Sequence, residues 1–454
     1  MVQPPLVPPS SWLLGNATSL KGDPVPFLNE CTSKYGPVFR IRILAREFTV
    51  VSLDDPALHS AIFRNSALSL DQGGINTLRF DAFLNYGNLV HTKGVNASVL
   101  RSTKLDSKPL WQINDKSLRE LVNSLPNYTS EGGAVVTDPE SLMLHLVASS
   151  YAKVQLGEPL ASNPKLKSIF CAFFLQVELC AVLVTLLPPW LVPFVFWFLF
   201  PLRRAVTDME AILKPEIKRR RQHEKQADQF DFLDLLMEQE TNDEYLTTNI
   251  LLLQIAAMRN TSLMLQNILY DIAENPSIAN ALRREMKEHI DFSLNEPLTR
   301  QTLTNLTLLD SFIRESLFQS AKPITSVRTA TSDTAINGFD IPAGTDILLY
   351  GAKVHGKAFW ETPMEEFYPD RWIGSGKHAT TTSSEYMLFG GGKTICPGRF
   401  LAVLEMKTFV CCLLNRYDVR LHHGGKVKRE FSMKHVLPAM EKGKQVPLVF
   451  VPRK

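Results

Sequence analysis

The chain has 454 residues, of which 45% are hydrophobic and 21% are charged, and its formal net charge is only +3. This length suits two or three ordinary domains or one large one, and the composition is that of a globular protein with a large core. A charge so close to balance argues against a nucleic-acid partner. We interpret the one basic cluster, Lys218–Arg221, as a solvated helix face. The six cysteines show neither C-x-x-C spacing nor a disulfide pattern, which favours reduced, cytosol-facing thiols.

The chain opens on a proline-rich stretch, residues 1–26, without the apolar core that a cleavable signal peptide needs. Proline-rich chain is stiff and extended, and it would suit a hinge that follows a membrane anchor. The next pattern predicts a short amphipathic helix over Phe27–Tyr35. Two strands with alternating apolar side chains follow, over residues 38–43 and 48–52.

Helical periodicity dominates from about residue 110 to 320. Strand and turn chemistry returns over Ile336–Leu349, a last helix is predicted over Pro397–Arg416, and residues 446–451 have the pattern of a strand. The sequence therefore predicts a mainly α protein with a minor β portion drawn from both ends of the chain. We interpret it as a single domain over residues 1–454.

The stretch Leu179–Leu202 carries no charged residue and is long enough to span a membrane. Four prolines, the last of them Pro201, would break a helix there repeatedly. An aromatic, proline-broken segment followed at once by Arg203 and Arg204 favours a hairpin that dips into one leaflet. A buried core segment and a true membrane span are the alternatives. Membrane contact here would give a hydrophobic substrate a route into the protein.

The most informative run is Phe389–Ala402, which reads F-G-G-G-K-T-I-C-P-G-R-F-L-A. Three consecutive glycines let the backbone turn and approach a flat ligand closely. The helix predicted after Cys396 directs its N-terminal amides at the sulfur and favours the thiolate. Gly398 leaves its amide accessible, and Ala402 is small enough to lie beneath a ring. These features predict a thiolate that ligates haem iron. A buried structural cysteine beside a glycine turn is the alternative.

With Phe389, Gly392, Cys396, Gly398 and Ala402 at these spacings, the run resembles the signature of the cytochrome P450 family, F-x-x-G-x-x-x-C-x-G-x-x-x-A. The resemblance extends over essentially the whole chain. Upstream, residues 367–372 are similar to the family's meander motif, and residues 310–317 resemble the start of the helix that carries its E-x-x-R motif. Among microsomal members the chain leans towards the branch of sterol hydroxylases and prostacyclin synthase.

The resemblance implies the cytochrome P450 fold, with haem b between a long distal helix and the helix that follows Cys396. It implies that Cys396 is the axial ligand of the iron, in a segment bounded by residues 389–402. Electrons would come from NADPH through a cytochrome P450 reductase. The resemblance also implies a small hydrophobic substrate, contact with a membrane surface, and an endoplasmic reticulum location with the catalytic domain in the cytosol. We expect a monomer without a nucleic-acid partner.

The first departure from the family lies in the E-x-x-R motif, where the arginine is Phe318. In the family that arginine pairs with the glutamate and with an arginine of the meander, and together they lock the haem-binding loop. Here Glu315 can still meet Arg371, but as a two-member pair. A buried ion pair stabilises most when its hydrogen bonds are complete, so we expect a softer lock unless Arg314 or a neighbour compensates.

A second departure concerns the haem propionates. The family's basic residue two positions before the cysteine is Thr394 in this chain. Arg328, on the strand after the Glu315 helix, matches the family's other propionate ligand and is our preferred candidate. Lys393 is the alternative.

The third departure lies on the long distal helix, which reads Ala256-Ala-Met-Arg259-Asn260-Thr261 when it is registered on the Asn-Pro pair that follows it. Ala256 is a candidate haem contact, and Arg259, Asn260 and Thr261 are the candidate catalytic residues. The family has an acid where this chain has Arg259 and a hydroxyl where it has Asn260. Neither replacement relays protons well. Either a water or a substrate hydroxyl relays them, or no dioxygen is activated. Alternatively, Arg259 merely faces solvent.

Three functions are compatible with these residues. The leading prediction is a monooxygenase that oxidises a bulky hydrophobic metabolite, such as a sterol, terpenoid or polyketide, in secondary metabolism. The second is an oxygen-independent isomerase or dehydratase that acts on a peroxide or a similar preformed intermediate, which Asn260 favours. The third is a catalytically silent haem-binding scaffold, suggested by Phe318. A requirement for NADPH, reductase and dioxygen separates the first from the others.

Overall fold

A computed structural model describes residues 2–20, 24–44, 46–54, 56–78, 98, 108–125, 134–186, 191, 194–195, 200–222, 231–294, 296–320, 324–351, 366–384, 386–427 and 445–453. The α-helices are α1 (Val25–Tyr35), α2 (Pro56–Arg64), α3 (Leu70–Leu78), α4 (Lys108–Ser124), α5 (Pro139–Leu156), α6 (Pro164–Leu186), α7 (Phe200–Gln222), α8 (Phe232–Gln239), α9 (Asp243–Glu274), α10 (Pro276–His289), α11 (Arg300–Asn305), α12 (Thr307–Gln319) and α13 (Arg399–Arg416). The strands are β1 (Val38–Ile43), β2 (Arg46–Ser52), β3 (Leu68–Ser69), β4 (Ala134–Val136), β5 (Ile324–Ala330), β6 (Thr334–Ile336), β7 (Phe339–Ile341), β8 (Asp346–Tyr350), β9 (Tyr417–Leu421) and β10 (Leu448–Pro452).

The larger sheet has the strand order β1-β2-β8-β5-β3. β1 and β2 form an antiparallel hairpin, β2 runs parallel to β8, and β8 pairs antiparallel with β5. Residues near the start of the chain are thereby paired with residues beyond 320. A second sheet, β4-β10-β9, places the C-terminal strand between two others. The prediction of a mainly helical chain with a minor β portion built from both ends is confirmed.

The long helix α9, of 32 residues, is packed on several sides. Its contacts with α5 are the most extensive between helices, and α4 and α13 pack beside them. The apolar residues between these four helices belong to one core, to which Leu146, Leu251, Leu263 and Phe409 contribute. Because Cys396 comes directly before α13, this helix group brings the cysteine loop close to the long distal helix.

The proline-rich start is docked along the sheet. Leu6 bridges to Arg40 in parallel, and Gly15 bridges to Ile43. Arg40 donates its amide to the carbonyl of Pro5 at 2.8 Å, and the amide of Val7 donates to the carbonyl of Arg40 at 2.8 Å. Residues 2–9 form no helix and add to the edge of β1, whereas residues 12–14 and 16–20 form turns. The described part of the stretch is therefore no free hinge.

The apolar stretch 179–202 falls partly on α6, which continues to Leu186, and partly on α7, which begins at Phe200. Residues 187–190, 192–193 and 196–199 lie outside the described residues, so the predicted hairpin remains a prediction. Pro201 was expected to break a helix, but it stands in the first turn of α7, where a missing amide proton costs little. Within the ranges that the structure describes, we find no helix with both the length and the apolar character of a membrane span.

Candidate active site

The cysteine loop connects Tyr386 to the start of α13. The amide of Cys396 donates to the carbonyl of Phe389 at 2.7 Å, which closes the loop on itself. Gly390 and Gly392 have positive φ angles of 72° and 56°. A Cβ on Gly392 would also lie 2.8 Å from the carbonyl oxygen of Phe63. The backbone conformation therefore favours glycine at both positions, and at Gly392 the lack of space also requires it.

The Cys396 sulfur lies at the N-terminal end of α13, which begins at Arg399 rather than at Pro397 as predicted. Burial raises the pKa of the Cys396 thiol, whereas the backbone amides of Gly398 and Arg399 and the charge of Arg399 lower it. A Cβ on Gly398 would meet nothing within 4 Å, so the space beside its amide is open. These amides can stabilise a thiolate, and a coordinated metal ion deprotonates a thiol outright.

Arg328 on β5 is buried and reaches the cysteine loop. Its Nη2 donates to Oγ1 of Thr394 at 2.6 Å, and Thr394 in turn donates to the carbonyl of Gly391 at 3.0 Å. The guanidinium lies over the ring of Phe63, 4.9 Å from its centroid. Lys393, the alternative propionate ligand, is exposed. Arg328 thus lies beside Thr394, at which the family has a basic residue, and it stays our preferred candidate for a propionate ligand.

The distal helix α9 exposes one short face. Among its described side chains between residues 246 and 273, Ala256 and Asn260 are the exposed ones. They are one turn apart and therefore share a face. One N–H of the Asn260 carboxamide donates to the carbonyl of Ala256 at 2.9 Å, so the side chain lies along its own helix. This face can take a flat apolar ligand beside Ala256 and offer it one polar group.

The other two candidate catalytic residues point elsewhere. Arg259 is 3% exposed and forms an ion pair with Glu140 on α5. Glu140 also accepts from Nε2 of Gln445 at 2.9 Å. The alternative that Arg259 faces solvent is therefore wrong. Successive residues on a helix are rotated by about 100°, so neighbours of Asn260 cannot share its face.

Thr261 is buried on the side of α9 that faces α5. Its side chain is hydrogen-bonded to Tyr151, whose hydroxyl donates to Oε2 of Glu405 at 2.9 Å. Burial raises the pKa of Glu405 to about 7, and the hydrogen bond from Tyr151 opposes this shift. The structure therefore does not bring Arg259, Asn260 and Thr261 together, and only Asn260 lies on the exposed face.

The predicted lock has more members than a pair. Arg371 donates from Nε to Oε2 of Glu315 at 3.0 Å and from Nη2 to Oε1 at 3.2 Å, with both side chains essentially unexposed. The Trp372 indole N–H donates to Oε2 at 2.9 Å. The amide of Tyr368 and Nε2 of Gln319 donate to Oε1 at 3.1 and 3.2 Å. The Glu315 carboxylate thus has a full set of donors without an arginine at position 318.

Sequence reasoning missed several residues that shape this site. Phe63, Glu140 and Tyr151 are far from the cysteine motif in the chain, and no local pattern connects them to it. Trp372 could have been found, because it stands beside Arg371 in the meander motif and a buried indole N–H needs an acceptor. Phe389 and Ala402 are both partly buried and pack against the main core, and their contact with haem stays a prediction.

The residues present fit a haem group. A single sulfur ligand flanked by amide donors suits an axial thiolate. Nε of Arg328 is buried and has no hydrogen-bond partner among the described residues, and burial lowers the pKa of this side chain. A carboxylate such as a propionate would supply the missing acceptor. Arg328 and Thr394 would hold the propionate, Cys396 would hold the iron, and Ala256 and Asn260 would face the opposite side of the ring.

Comparison with known proteins supports this assignment. A family model described as Cytochrome P450 matches residues 4–447. The cytochrome P450 monooxygenase olcJ of Penicillium canescens is 29% identical over 316 residues, which are 65% of this chain and 59% of the relative. The cytochrome P450 monooxygenase ausG of Emericella nidulans is 28% identical over 313 residues, covering 64% of this chain and 58% of the relative. The chain thus matches about three fifths of the length of these curated relatives.

The fold agrees with the sequence comparison. A solved structure of retinoic acid bound cyanobacterial CYP120A1 superposes with a TM-score of 0.76 and 19% identity, and the match covers 100% of both chains. At this identity the likeness shows the fold and no more. The predicted cytochrome P450 fold is confirmed, whereas the leaning towards the sterol hydroxylase branch stays a prediction. From the family match, the shared fold and the geometry around Cys396, we conclude that the chain belongs to the cytochrome P450 family.

Proposed function

We propose that the protein is a haem-thiolate monooxygenase that oxidises a bulky hydrophobic metabolite. The observation that carries the proposal is the geometry of the cysteine loop, which presents the Cys396 sulfur beside the amides of Gly398 and Arg399 at the start of α13. The similar proteins from Penicillium canescens and Emericella nidulans are themselves named monooxygenases. When bound, thiolate-ligated haem supplies oxygen activation, because the sulfur donates electron density that favours O–O cleavage.

The proposed reaction consumes dioxygen, two electrons and two protons for each substrate molecule. One atom of dioxygen enters a C–H bond as a hydroxyl, and the other leaves as water. Two electrons come from NADPH through a cytochrome P450 reductase, together with protons from solvent. The chain's own residues hold the haem, orient the substrate and admit those protons.

Exposure on α9 supports Asn260 as the distal residue that acts on bound ligands. Its carboxamide can orient a water or a substrate hydroxyl by hydrogen bonding, but it holds no titratable proton. Arg259 is bound to Glu140 and stays charged, so it contributes no proton either. We therefore propose that a water or a hydroxyl of the substrate, ordered by Asn260, delivers protons on the distal side.

The substrate class and the location belong to the same proposal. Phe194, inside the apolar stretch 179–202, is 62% exposed. An exposed aromatic in a long uncharged stretch supports contact with a membrane surface, as at the endoplasmic reticulum. A sterol, terpenoid or polyketide of secondary metabolism would enter from there. We propose a monomer with the reductase as its redox partner.

Dioxygen dependence tests the proposal. Compounds from a panel of sterols, terpenoids and polyketides that shift the Soret band of the haem-loaded protein would be offered with NADPH, a cytochrome P450 reductase and ¹⁸O₂. We expect one ¹⁸O atom in the product and no product under strict anaerobiosis. Product that forms without dioxygen and without NADPH would instead establish the isomerase or dehydratase alternative. Binding without any turnover across the panel would favour the silent scaffold.

A further inference from the structure

Helix α12 holds the segment that leads to the cysteine loop with two parallel rows of side chains. One row consists of Ser311, Glu315 and Gln319, and the other consists of Asp310, Arg314 and Phe318. Members of a row are four residues apart and therefore lie one above the other on the helix. The position at which the family has its E-x-x-R arginine is the last member of the second row.

The first row holds residues 366–372. Glu315 accepts from Arg371 and Trp372, as described above. Ser311 Oγ accepts from the amide of Trp372 at 3.0 Å, and Nε2 of Gln319 donates to the carbonyl of Glu366 at 3.3 Å. This row fixes the meander, including both of its side chains that bind Glu315.

The second row holds residues 378–381, the next part of the same segment. Asp310 Oδ2 accepts from the amide of Ala379 at 3.0 Å. Arg314 donates from Nη1 to the carbonyl of His378 at 2.5 Å and to the carbonyl of Thr381 at 2.8 Å. One guanidinium thus binds two carbonyls of the chain that runs towards the haem-binding loop.

Arg314 is also enclosed by aromatic rings. Its guanidinium carbon lies 3.9 Å from the centroid of Tyr386 and 4.4 Å from that of Trp372. Phe318 packs against the same two rings, edge-on to Trp372 at 5.6 Å and stacked on Tyr386 at 6.5 Å. Arg314 and Tyr386 are completely buried. The faces of the two rings attract the positive charge of the buried guanidinium. A planar guanidinium stacks on such faces better than the ammonium group of a lysine does.

We propose that Arg314 is the positioning residue that replaces the arginine missing at position 318. Moving an arginine by one turn shifts its Cα by about 6 Å along the helix. Both positions belong to one row, and from its place in that row Arg314 binds the carbonyls of His378 and Thr381. Phe318 then fills the volume that an arginine would leave and completes the enclosure of Tyr386 and Trp372. The softer lock that the sequence suggests is thereby compensated.

The consequence for the haem site follows from chain connectivity. Tyr386 stands three residues before Phe389, whose carbonyl accepts from the Cys396 amide. The next turn is closed by the amide of Gly390, which donates to the carbonyl of Met387 at 2.8 Å. Holding Tyr386 in place therefore holds the start of the loop that presents the sulfur.

A double-mutant cycle tests the proposal. The full chain would be prepared with haem as wild type, Arg314→Met, Phe318→Arg and the double variant, and haem loss to an excess of apomyoglobin would be timed. We expect Arg314→Met to speed haem loss on the order of tenfold, because two carbonyls and two rings lose their cation. Phe318→Arg alone should also speed it, since a second cation enters the enclosure. The double variant should return towards wild type, because a single arginine again serves the row.

Further variants separate positioning from general stability. Tyr386→Leu removes the ring and should speed haem loss, as Arg314→Met does. Arg284→Met, an exposed arginine on α10, is the matched control and should change nothing. Urea unfolding of each apoprotein shows whether haem loss exceeds what lower stability explains. If Arg314→Met does not fold, the rate of haem loss is measured on Arg314→Lys instead. The yield of folded double variant, compared with that of Arg314→Met, then shows whether Phe318→Arg restores the protein.

Two results would overturn the proposal. One is haem retention by Arg314→Met or Arg314→Lys that equals wild type. The other is a double variant in which the two losses simply add, since positions that replace one another cannot be independent. The proposal rests on haem binding at Cys396 and not on the reaction. A protein that retains haem as expected but needs no dioxygen would contradict only the proposed monooxygenase.

Discussion

At the scale of single residues, the site depends on a few atoms that other residue types could not supply in the same place. Cys396 supplies the sulfur, the amides of Gly398 and Arg399 favour its anionic form, and Gly392 provides the space beside Phe63. Arg328 has one buried nitrogen without a hydrogen-bond partner among the described residues, and a carboxylate of the haem would supply that partner. These positions tolerate little change because each serves through its backbone conformation, its charge or its size.

Replacement of the ligand is the test at this scale. We expect Cys396→Ser to abolish the red-shifted Soret band of the ferrous carbonyl complex, because a serine oxygen cannot donate charge to the iron as a thiolate does. The measurement is a carbon monoxide difference spectrum. Cys171→Ser, a half-buried cysteine on α6, is the control and should keep the band. A band that survives in Cys396→Ser would mean that another residue ligates the iron.

At the scale of elements, helix rotation decides which neighbours work together. Asn260 lies on the exposed face of α9, whereas Arg259 is bound to Glu140 and Thr261 to Tyr151. Three consecutive residues of one motif thus have side chains in three different environments. On α12, the helical repeat aligns two rows of side chains that hold one segment of the chain. An arginine at position 314 can therefore serve in place of one at position 318, because both belong to the same row.

The contact between α13 and α5 carries a measurable pH dependence. Burial raises the pKa of Glu405 from 4.5 to about 7, and no charged partner is a cause of its shift. Charged residues on the helices around it pair elsewhere: Lys407 with Asp310, Arg119 with Asp115 and Arg283 with Asp418. Because the folded pKa is raised, the contribution to stability is complete below pH 4.5 and is lost as the pH rises through about 7.

Glu405→Gln should remove this dependence. A shift of this size corresponds to about 3 kcal/mol, and glutamine still accepts from Tyr151. We expect the variant to gain stability relative to wild type between pH 5 and pH 8, as measured by urea unfolding at both values. Glu120→Gln, at an exposed carboxylate on α4, should show no such difference. A wild type and a Glu405→Gln variant with parallel pH profiles would contradict the raised pKa.

At the scale of the whole molecule, distant segments assemble the haem site. Arg328 comes from β5, Phe63 from α2, Asn260 from α9 and Cys396 from the loop before α13. The sheet that joins β2 to β8 and the helix group around α9 bring these segments together. Within the apolar stretch 179–202, the described residue Phe194 is exposed.

Membrane contact is tested on the folded protein. We expect Phe194→Glu to weaken binding to liposomes severalfold in a flotation assay without loss of haem, because a carboxylate opposes insertion among acyl chains. Leu294→Glu is a matched control, since Leu294 has the same 62% exposure but lies far along the chain from the apolar stretch. Equal binding by both variants would place the membrane contact elsewhere. Loss of folding in Phe194→Glu would assign this position to the interior.

The sequence by itself determined the family, the helical character and the strands at both ends of the chain, and it predicted the iron ligand. These features can be recognised from the spacing of residues that are close in the chain: glycines before a cysteine, alternating apolar residues, and a small residue six positions after the cysteine. It also predicted that Glu315 and Arg371 would meet, because both motifs are short and can be recognised separately.

Only the tertiary structure decided how the departures from the family are accommodated. Whether Arg259 faces solvent, the haem or another helix depends on Glu140, which is more than a hundred positions away. That Arg314 serves in place of Phe318 depends on Tyr386 and Trp372, which reach the same row of α12 only after the chain has folded. Long-range contacts of this kind leave no periodicity in the sequence, because they are set by packing between segments and not by order along the chain.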